Sequence, residues 1–186
     1  MLKYVKLLFL NYKRINLPFG NVMNRAALII LFLCAGLSAC KKSTETGLAG
    51  YKAQARVDDA IIAKYLSENP TLDAKKVDTS GVYYIVVQSG SGSDLFTNST
   101  SVTVADTGRI LTTGKIFTQT NNYHPSYTLQ SVILGWKLGI PKIQKGGTIR
   151  LLLPSRYAYG PAPQPQIGLP ANAILDFTIT LYDIVN

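Results

Sequence analysis

The sequence predicts an α+β domain: a curved antiparallel β-sheet wrapped around one short α-helix, with an extra helix on its N-terminal side. Three observations lead there. Residues 82–88 are an unbroken run dominated by β-branched and aromatic side chains, the composition of a strand. Val102, Val104 and Asp106 alternate onto one face of a second strand. Residues 56–69 carry apolar side chains at helical spacing, with Val57, Ile61 and Tyr65 on one stripe and Ile62 and Leu66 beside it.

Taken in order, Lys41 to Tyr51 is polar and small-residue-rich and reads as a flexible tether. Asp58 and Asp59 suit a helix N-terminus, and Asn69-Pro70 suits its end. This helix is expected to pack on the domain or act as a spacer, with dimerisation as the sharper alternative. Ser89-Gly90-Ser91-Gly92-Ser93 is a loop, because no Lys-Ser/Thr pair or helix start follows to make it a phosphate cradle. Gly108 to Phe117 turns back on the second strand, with Gly114 in the turn. Tyr123 to Gln130 is a loop or short edge strand, and Ser131 to Leu138 is the short helix, closed off by Pro141. Lys145-Gly146-Gly147 is a turn, Thr148 to Pro154 a strand, and Ile174 to Ile184 the final strand.

The formal net charge is +9, but five of the 19 basic residues precede residue 40 while all ten acids follow it. No basic run with interleaved aromatics occurs in the later part, so nucleic acid is not an expected partner. The early basic residues belong to a targeting pattern. Asn24-Arg25 precedes an apolar run, Ala26 to Leu37, that as a helix would span about 18 Å, short of the ~30 Å a bilayer core requires. It ends in Leu37-Ser38-Ala39-Cys40, which resembles the bacterial lipobox, so Cys40 is the expected lipidated first residue of the mature chain. Residues 23–39 are then the signal peptide, 40–55 the lipidated tether, 56–80 the helix and linker, and 81–186 the main domain. Residues 1–22 are read as an upstream extension or a mis-assigned start, since Met23 begins a complete signal. The remaining cysteine, Cys34, lies inside the signal, so no intramolecular disulfide, cysteine redox chemistry or zinc site is expected. His124, the only histidine, sits beside Pro125 and reads as a surface residue. No paired carboxylates, Ser/His/Asp set or metal spacing is present, and the expected cofactor and metal content is none. Asn98-Ser99-Thr100 fits a glycosylation sequon without meaning in a bacterial lipoprotein.

Three patches mix large apolar or aromatic residues with Gly or Pro: Val132-Ile133-Leu134-Gly135-Trp136, Tyr157-Ala158-Tyr159-Gly160, and Leu169-Pro170-Ala171-Asn172-Ala173 leading into Phe177. Loops normally shed such side chains, so three patches close in sequence suggest aromatics gathered around one apolar pocket. Together with Ser101-Val102-Thr103-Val104, Gly114-Lys115-Ile116-Phe117 and Gly146-Gly147 before Ile149 to Pro154, they stand in the order and near the spacings of one family. Residues 81–186 resemble the FKBP-type peptidyl-prolyl cis-trans isomerases.

The resemblance implies an FKBP-like fold with the pocket between sheet and short helix. It implies Trp136 as the pocket floor under a proline ring and Phe117, Val132, Tyr159 and Phe177 as walls. The Ile133 N–H would hold a carbonyl, and the Tyr159 hydroxyl would offer a second hydrogen bond. Tyr127 joins the substrate-binding set, and Leu169 replaces the usual Ile in the loop over the mouth. Two positions depart from the family: Asp106 stands where Tyr is usual and Thr118 where Asp is usual, and these two are expected to form a reversed Asp–Thr pair. The loop from Gln119 to Gln130 is shorter than usual. These departures imply reduced isomerase activity. The resemblance implies a monomeric isomerase acting on proline-containing unfolded or extracytoplasmic polypeptides. The lipobox-like Cys40 adds a lipid anchor in the bacterial cell envelope, and Lys41-Lys42 after it, lacking the aspartate that typically retains such proteins at the inner membrane, points to the outer one. The alternative is a catalytically weak, chaperone-like peptide-binding module.

Overall fold

Alternation along the strands decides the architecture. The computed structural model describes residues 47–186; the expected signal peptide, the upstream segment and Cys40 lie outside the described residues. In chain order the elements are α1 (Leu48–Glu68), β1 (Lys75–Lys76), β2 (Tyr83–Gln88), β3 (Ser101–Ile110), β4 (Ile116–Gln119), β5 (Ser126–Thr128), α2 (Leu134–Gly139), β6 (Thr148–Leu153) and β7 (Leu175–Val185), with short 3-10 turns at Leu129–Ser131, Ile140–Lys142, Ser155–Tyr157 and Pro165–Ile167.

The strands form one antiparallel sheet in the order β1-β2-β6-β7-β3-β4, with β5 paired to β3. The two longest strands, β3 and β7, lie side by side from Ser101↔Val185 to Ile110↔Leu175 and make the spine. Every second residue of β3, from Val102 to Ile110, is buried. Ile149, Leu151 and Leu153 of β6 and Leu175, Phe177, Ile179 and Leu181 of β7 face the same main core. This is the period of two that half-buried strands require.

The short helix α2 closes the concave face. Its approach depends on two glycines one turn apart. A Cβ on Gly135 would come within 2.5 Å of the Leu153 side chain, and one on Gly139 would overlap Leu151. Without side chains at these positions the helix axis sits close to β6, and Trp136 between them turns into the core at 6 % exposure.

Helix α1 packs on the opposite face, where Ile62, Leu152 and Ile174 form a small separate core flanked by Ile61, Tyr65 and Leu66. The packed reading of this helix therefore holds, but its start differs from expectation. It begins at Leu48, inside the segment read as tether. Residues 48–56 are rich in Ala, Lys, Gln and Arg, good helix formers without an apolar stripe. Periodicity detects only the part of a helix that packs, so this exposed part gave no signal. Asp58 and Asp59 consequently sit mid-helix rather than at an N-terminus. The C-terminal end falls as expected, with the Asn69 N–H donating to Leu66 O (3.1 Å) and its side chain to Tyr65 O (2.8 Å) before Pro70.

Candidate active site: an aromatic cavity between sheet and short helix

A cavity of about 360 Å³ opens between α2 and the concave face of the sheet, lined by Asp106, Phe117, Thr118, Tyr127, Ser131, Val132, Ile133, Trp136, Tyr159, Ile167 and Phe177. Its floor is a set of edge-on rings. Trp136 meets Phe177 at 5.2 Å and 85°, Tyr127 at 6.1 Å and 78°, and Phe177 meets Phe117 at 5.5 Å and 82°. Edge-to-face contacts of this kind hold each ring in a defined plane. Gly108 makes the cluster possible: a Cβ there would lie 2.7 Å from Phe117, Phe177 and Thr118.

Each lining group follows from local structure. The β3 alternation that buries Val102 and Val104 also turns Asp106 inward. Ile133 is the N-cap of α2, with extended backbone (φ −61°, ψ 152°), and its carbonyl accepts the Trp136 N–H (3.0 Å). Among the described residues no acceptor takes the Ile133 N–H, which leaves a donor at the cavity wall. The indole N–H of Trp136 is buried and has no hydrogen-bond partner among the described residues.

The expected set is largely brought together. Ile133, Trp136, Tyr159, Phe177, Phe117, Asp106, Thr118, Val132 and Tyr127 all line the cavity. Leu169 does not. It is 2 % exposed and belongs to the main core, and Ile167, two residues earlier, takes the wall position. The 3-10 turn at Pro165–Ile167, with Gly168 left-handed behind it (φ 72°), rotates the loop so that Ile167 faces the cavity and Leu169 points inward. Ser131, an exposed residue at the rim, and Ile167 were not singled out from the sequence; neither stands in a distinctive motif.

The expected Asp106–Thr118 pair is absent. Thr118 lies opposite Gly108 in the β3–β4 register, two residues along from Asp106, and its methyl group is the part near Gly108. Diagonal neighbours at that offset stand about 7–8 Å apart, too far for two short side chains to bond. The Asp106 carboxylate makes no hydrogen bond among the described residues, although its backbone N–H donates to the Thr120 hydroxyl (2.8 Å). At 6 % exposure, burial pushes its carboxyl above the ordinary 3.8. Burial also pushes the Tyr159 and Tyr127 phenols up, and the Asp106 charge adds to both.

Among the described residues there is no group of three or more His, Cys, Asp or Glu placed to hold a metal ion, and no helix is long and apolar enough to cross a membrane. His124 stacks on Tyr182 (4.0 Å, 17°), away from the cavity lining.

An antiparallel sheet folded over a short glycine-bearing helix, with an aromatic cavity between them, defines a class, and comparison with known proteins agrees. Residues 92–182 match the family described as FKBP-type peptidyl-prolyl cis-trans isomerase. Among its relatives, the FKBP-type peptidyl-prolyl cis-trans isomerase FkpA of Buchnera aphidicola subsp. Acyrthosiphon pisum is 36 % identical over 123 residues, 66 % of this chain and 50 % of that protein. The protein of the same description from Escherichia coli strain K12 is 37 % identical over 111 residues, 59 % of this chain and 40 % of that protein. The chain thus spans half or less of the length of these relatives. The crystal structure of FkpA from Escherichia coli superposes with a TM-score of 0.60 at 27 % identity, covering 98 % of this chain and 79 % of that one. A peptidyl-prolyl cis-trans isomerase from Pseudomonas syringae pv. tomato shares the fold, with a TM-score of 0.61 at 24 % identity over 73 % of this chain and 96 % of that one.

Proposed function

We propose that the protein is a peptidyl-prolyl cis-trans isomerase acting on proline-containing segments of unfolded polypeptides in the bacterial cell envelope. The observation that carries this is the cavity itself: aromatic rings on its floor, one unused backbone donor on its wall, and a volume suited to a proline ring. Rotation about an X–Pro bond must overcome about 18–20 kcal/mol of lost amide resonance. The twisted transition state carries less carbonyl dipole than the planar ground state, so a dry aromatic site favours it. No nucleophile or metal is needed. In this reading Trp136 supports the proline ring, and Phe117, Phe177, Val132, Tyr127 and Ile167 exclude water. The Ile133 N–H holds the neighbouring carbonyl, and the Tyr159 hydroxyl lends a second donor.

The Asp106 carboxylate places an uncompensated polar group on one wall, so turnover should fall below that of relatives carrying the usual Tyr and Asp. The experiment is a protease-free isomerisation assay on an X–Pro peptide, paired with chemical-shift mapping. The wild type should catalyse, and Tyr159→Ala should lose about ten-fold or more. Peptide binding at these residues without turnover would favour the chaperone-like module, and perturbations confined to other surfaces would remove the assignment.

The anchor is part of the same proposal. Leu37-Ser38-Ala39-Cys40 supports lipidation of Cys40, and Lys41-Lys42 after it, lacking the aspartate that typically retains such proteins at the inner membrane, favours the outer membrane. A single acyl chain binds membranes marginally, while two or more hold firmly. Cys40→Ser should release the protein from the membrane fraction with a loss of lipid mass; unchanged mass and fractionation would refute it.

A further inference from the structure

Helix α1 reaches the cavity through one buried carboxylate. Asp58 is fully buried. Its Oδ2 accepts both the Ser155 N–H (2.9 Å) and the Ser155 hydroxyl (2.7 Å), while Oδ1 accepts the Gln54 side-chain amide (2.7 Å). Ser155, 2 % exposed, opens the 3-10 turn that follows β6. On its other side the Ser155 carbonyl accepts the Ala158 N–H and the Gly160 N–H, each at 2.9 Å. Those two amides flank Tyr159. A continuous run of hydrogen bonds therefore leads from the helix to the backbone on either side of a cavity-wall tyrosine.

The next residue repeats the connection. Arg156 donates to Asp59 Oδ1 (2.7 Å) and Ala55 O (3.3 Å) on α1 and to Ser80 O (2.7 Å) just before β2. Tyr159 itself is 37 % exposed, and its hydroxyl has no hydrogen-bond partner among the described residues. Its direction is therefore set by its backbone rather than by its tip.

Attachment of the helix does not require this carboxylate. Ile62 with Leu152 and Ile174, and Tyr65 with Arg150, already dock α1 on the sheet. Burying a carboxylate is costly where an apolar contact would serve. What the charge adds is directional hold on three donors, two of them from one residue of the turn. We propose that Asp58 is a positioning residue for the site: through Ser155 it fixes the turn that carries Tyr159 at the cavity wall. The inference rests on reading the cavity as the proline site.

The test uses the full chain and compares Asp58→Ala, Asp58→Asn and Ser155→Ala with Ile62→Ala, which weakens apolar docking and leaves the hydrogen-bond run intact. Turnover and affinity for an X–Pro peptide are measured at a temperature where each variant is folded by circular dichroism, together with the amide resonances of Ala158 and Gly160. Asp58→Ala should lower kcat/KM and peptide affinity by about ten-fold and shift both resonances, because small displacements of a site group act strongly on rate. Asp58→Asn keeps an acceptor for Ser155 and should recover to within about three-fold of wild type. Ile62→Ala should lower the melting temperature while affinity stays within about two-fold. Asp58→Ala that melts early yet binds, turns over and resonates like wild type would overturn the proposal, as would equal loss of affinity in Ile62→Ala. If Asp58→Ala does not fold, Ser155→Ala decides, since it removes the hydroxyl alone; unchanged affinity and resonances there overturn it. A wild type that neither isomerises nor binds proline peptides would refute the functional reading, and the Ala158 and Gly160 resonances would still decide whether Asp58 fixes the turn.

Discussion

The two faces of the sheet are held by different forces. The concave face carries one large apolar core that runs from Val82 to Leu181 and includes Trp136 and Phe177. The convex face has only a small core, Ile62, Leu152 and Ile174 flanked by part-buried apolar side chains, and adds polar links to α1. Arg150 grips Asp176 with two bonds (2.8 and 2.9 Å) and donates to the Tyr65 hydroxyl (2.6 Å); Asp58 and Arg156 hold the turn after β6. Apolar area is non-directional, and once there is enough of it a cavity can be left open within it. Polar links are directional and fix orientation at little area. The site sits where the first kind of packing tolerates a void, and the second kind aims one of its walls.

The sharpest way to break this comparison uses adjacent residues of one strand. Leu151 and Leu152 are both fully buried, on opposite faces. Leu151→Ala should cost about 3–5 kcal/mol in denaturant unfolding, because the surrounding core is anchored on all sides and cannot collapse onto the gap. Leu152→Ala should cost about 2–3 kcal/mol, since α1 can settle toward the sheet. Equal costs would show that the convex face is as rigidly packed as the concave one.

A smaller effect tests the polar latch. Arg150→Ala leaves Asp176 without its partner and should cost about 2 kcal/mol, below the range for fully buried pairs because the Arg150 side chain is 23 % exposed. Removing Asp176 as well should cost little more, and the shortfall from additivity measures the pair. Additive losses would make the latch incidental.

The smallest expected effect sharpens the site side. In the folded protein burial raises the Asp106 carboxyl above its ordinary 3.8, so the folded state binds this proton more tightly than the unfolded chain does. Ionisation as pH rises through the raised value therefore removes stability. Asp106→Asn cannot ionise and should melt higher than wild type at neutral pH, with the gain fading as pH falls through the raised value toward 3.8. A pH-independent difference would mean the carboxyl is solvated by the cavity.

The same contrast separates what could be read early from what could not. Strand alternation at Val102, Val104 and Asp106, the aromatic motifs around Trp136 and Tyr159, and Phe117 and Phe177 were legible because each is a local pattern tied to one face of an element. The Asp106–Thr118 pair failed because register, which sets Thr118 against Gly108, depends on where β3 and β4 meet. Leu169 failed because one left-handed glycine exchanged its side for that of Ile167.

By itself, then, the chain determined its element types, the inward face of each strand and the residue types of the cavity, since periodicity and turn chemistry act over a few residues. Tertiary structure decided that Asp58 meets Ser155 across 97 positions, that Arg150 meets Asp176, and that Ile167 rather than Leu169 lines the site. Those pairings arise from closing long loops around a shared core, and no local pattern encodes them.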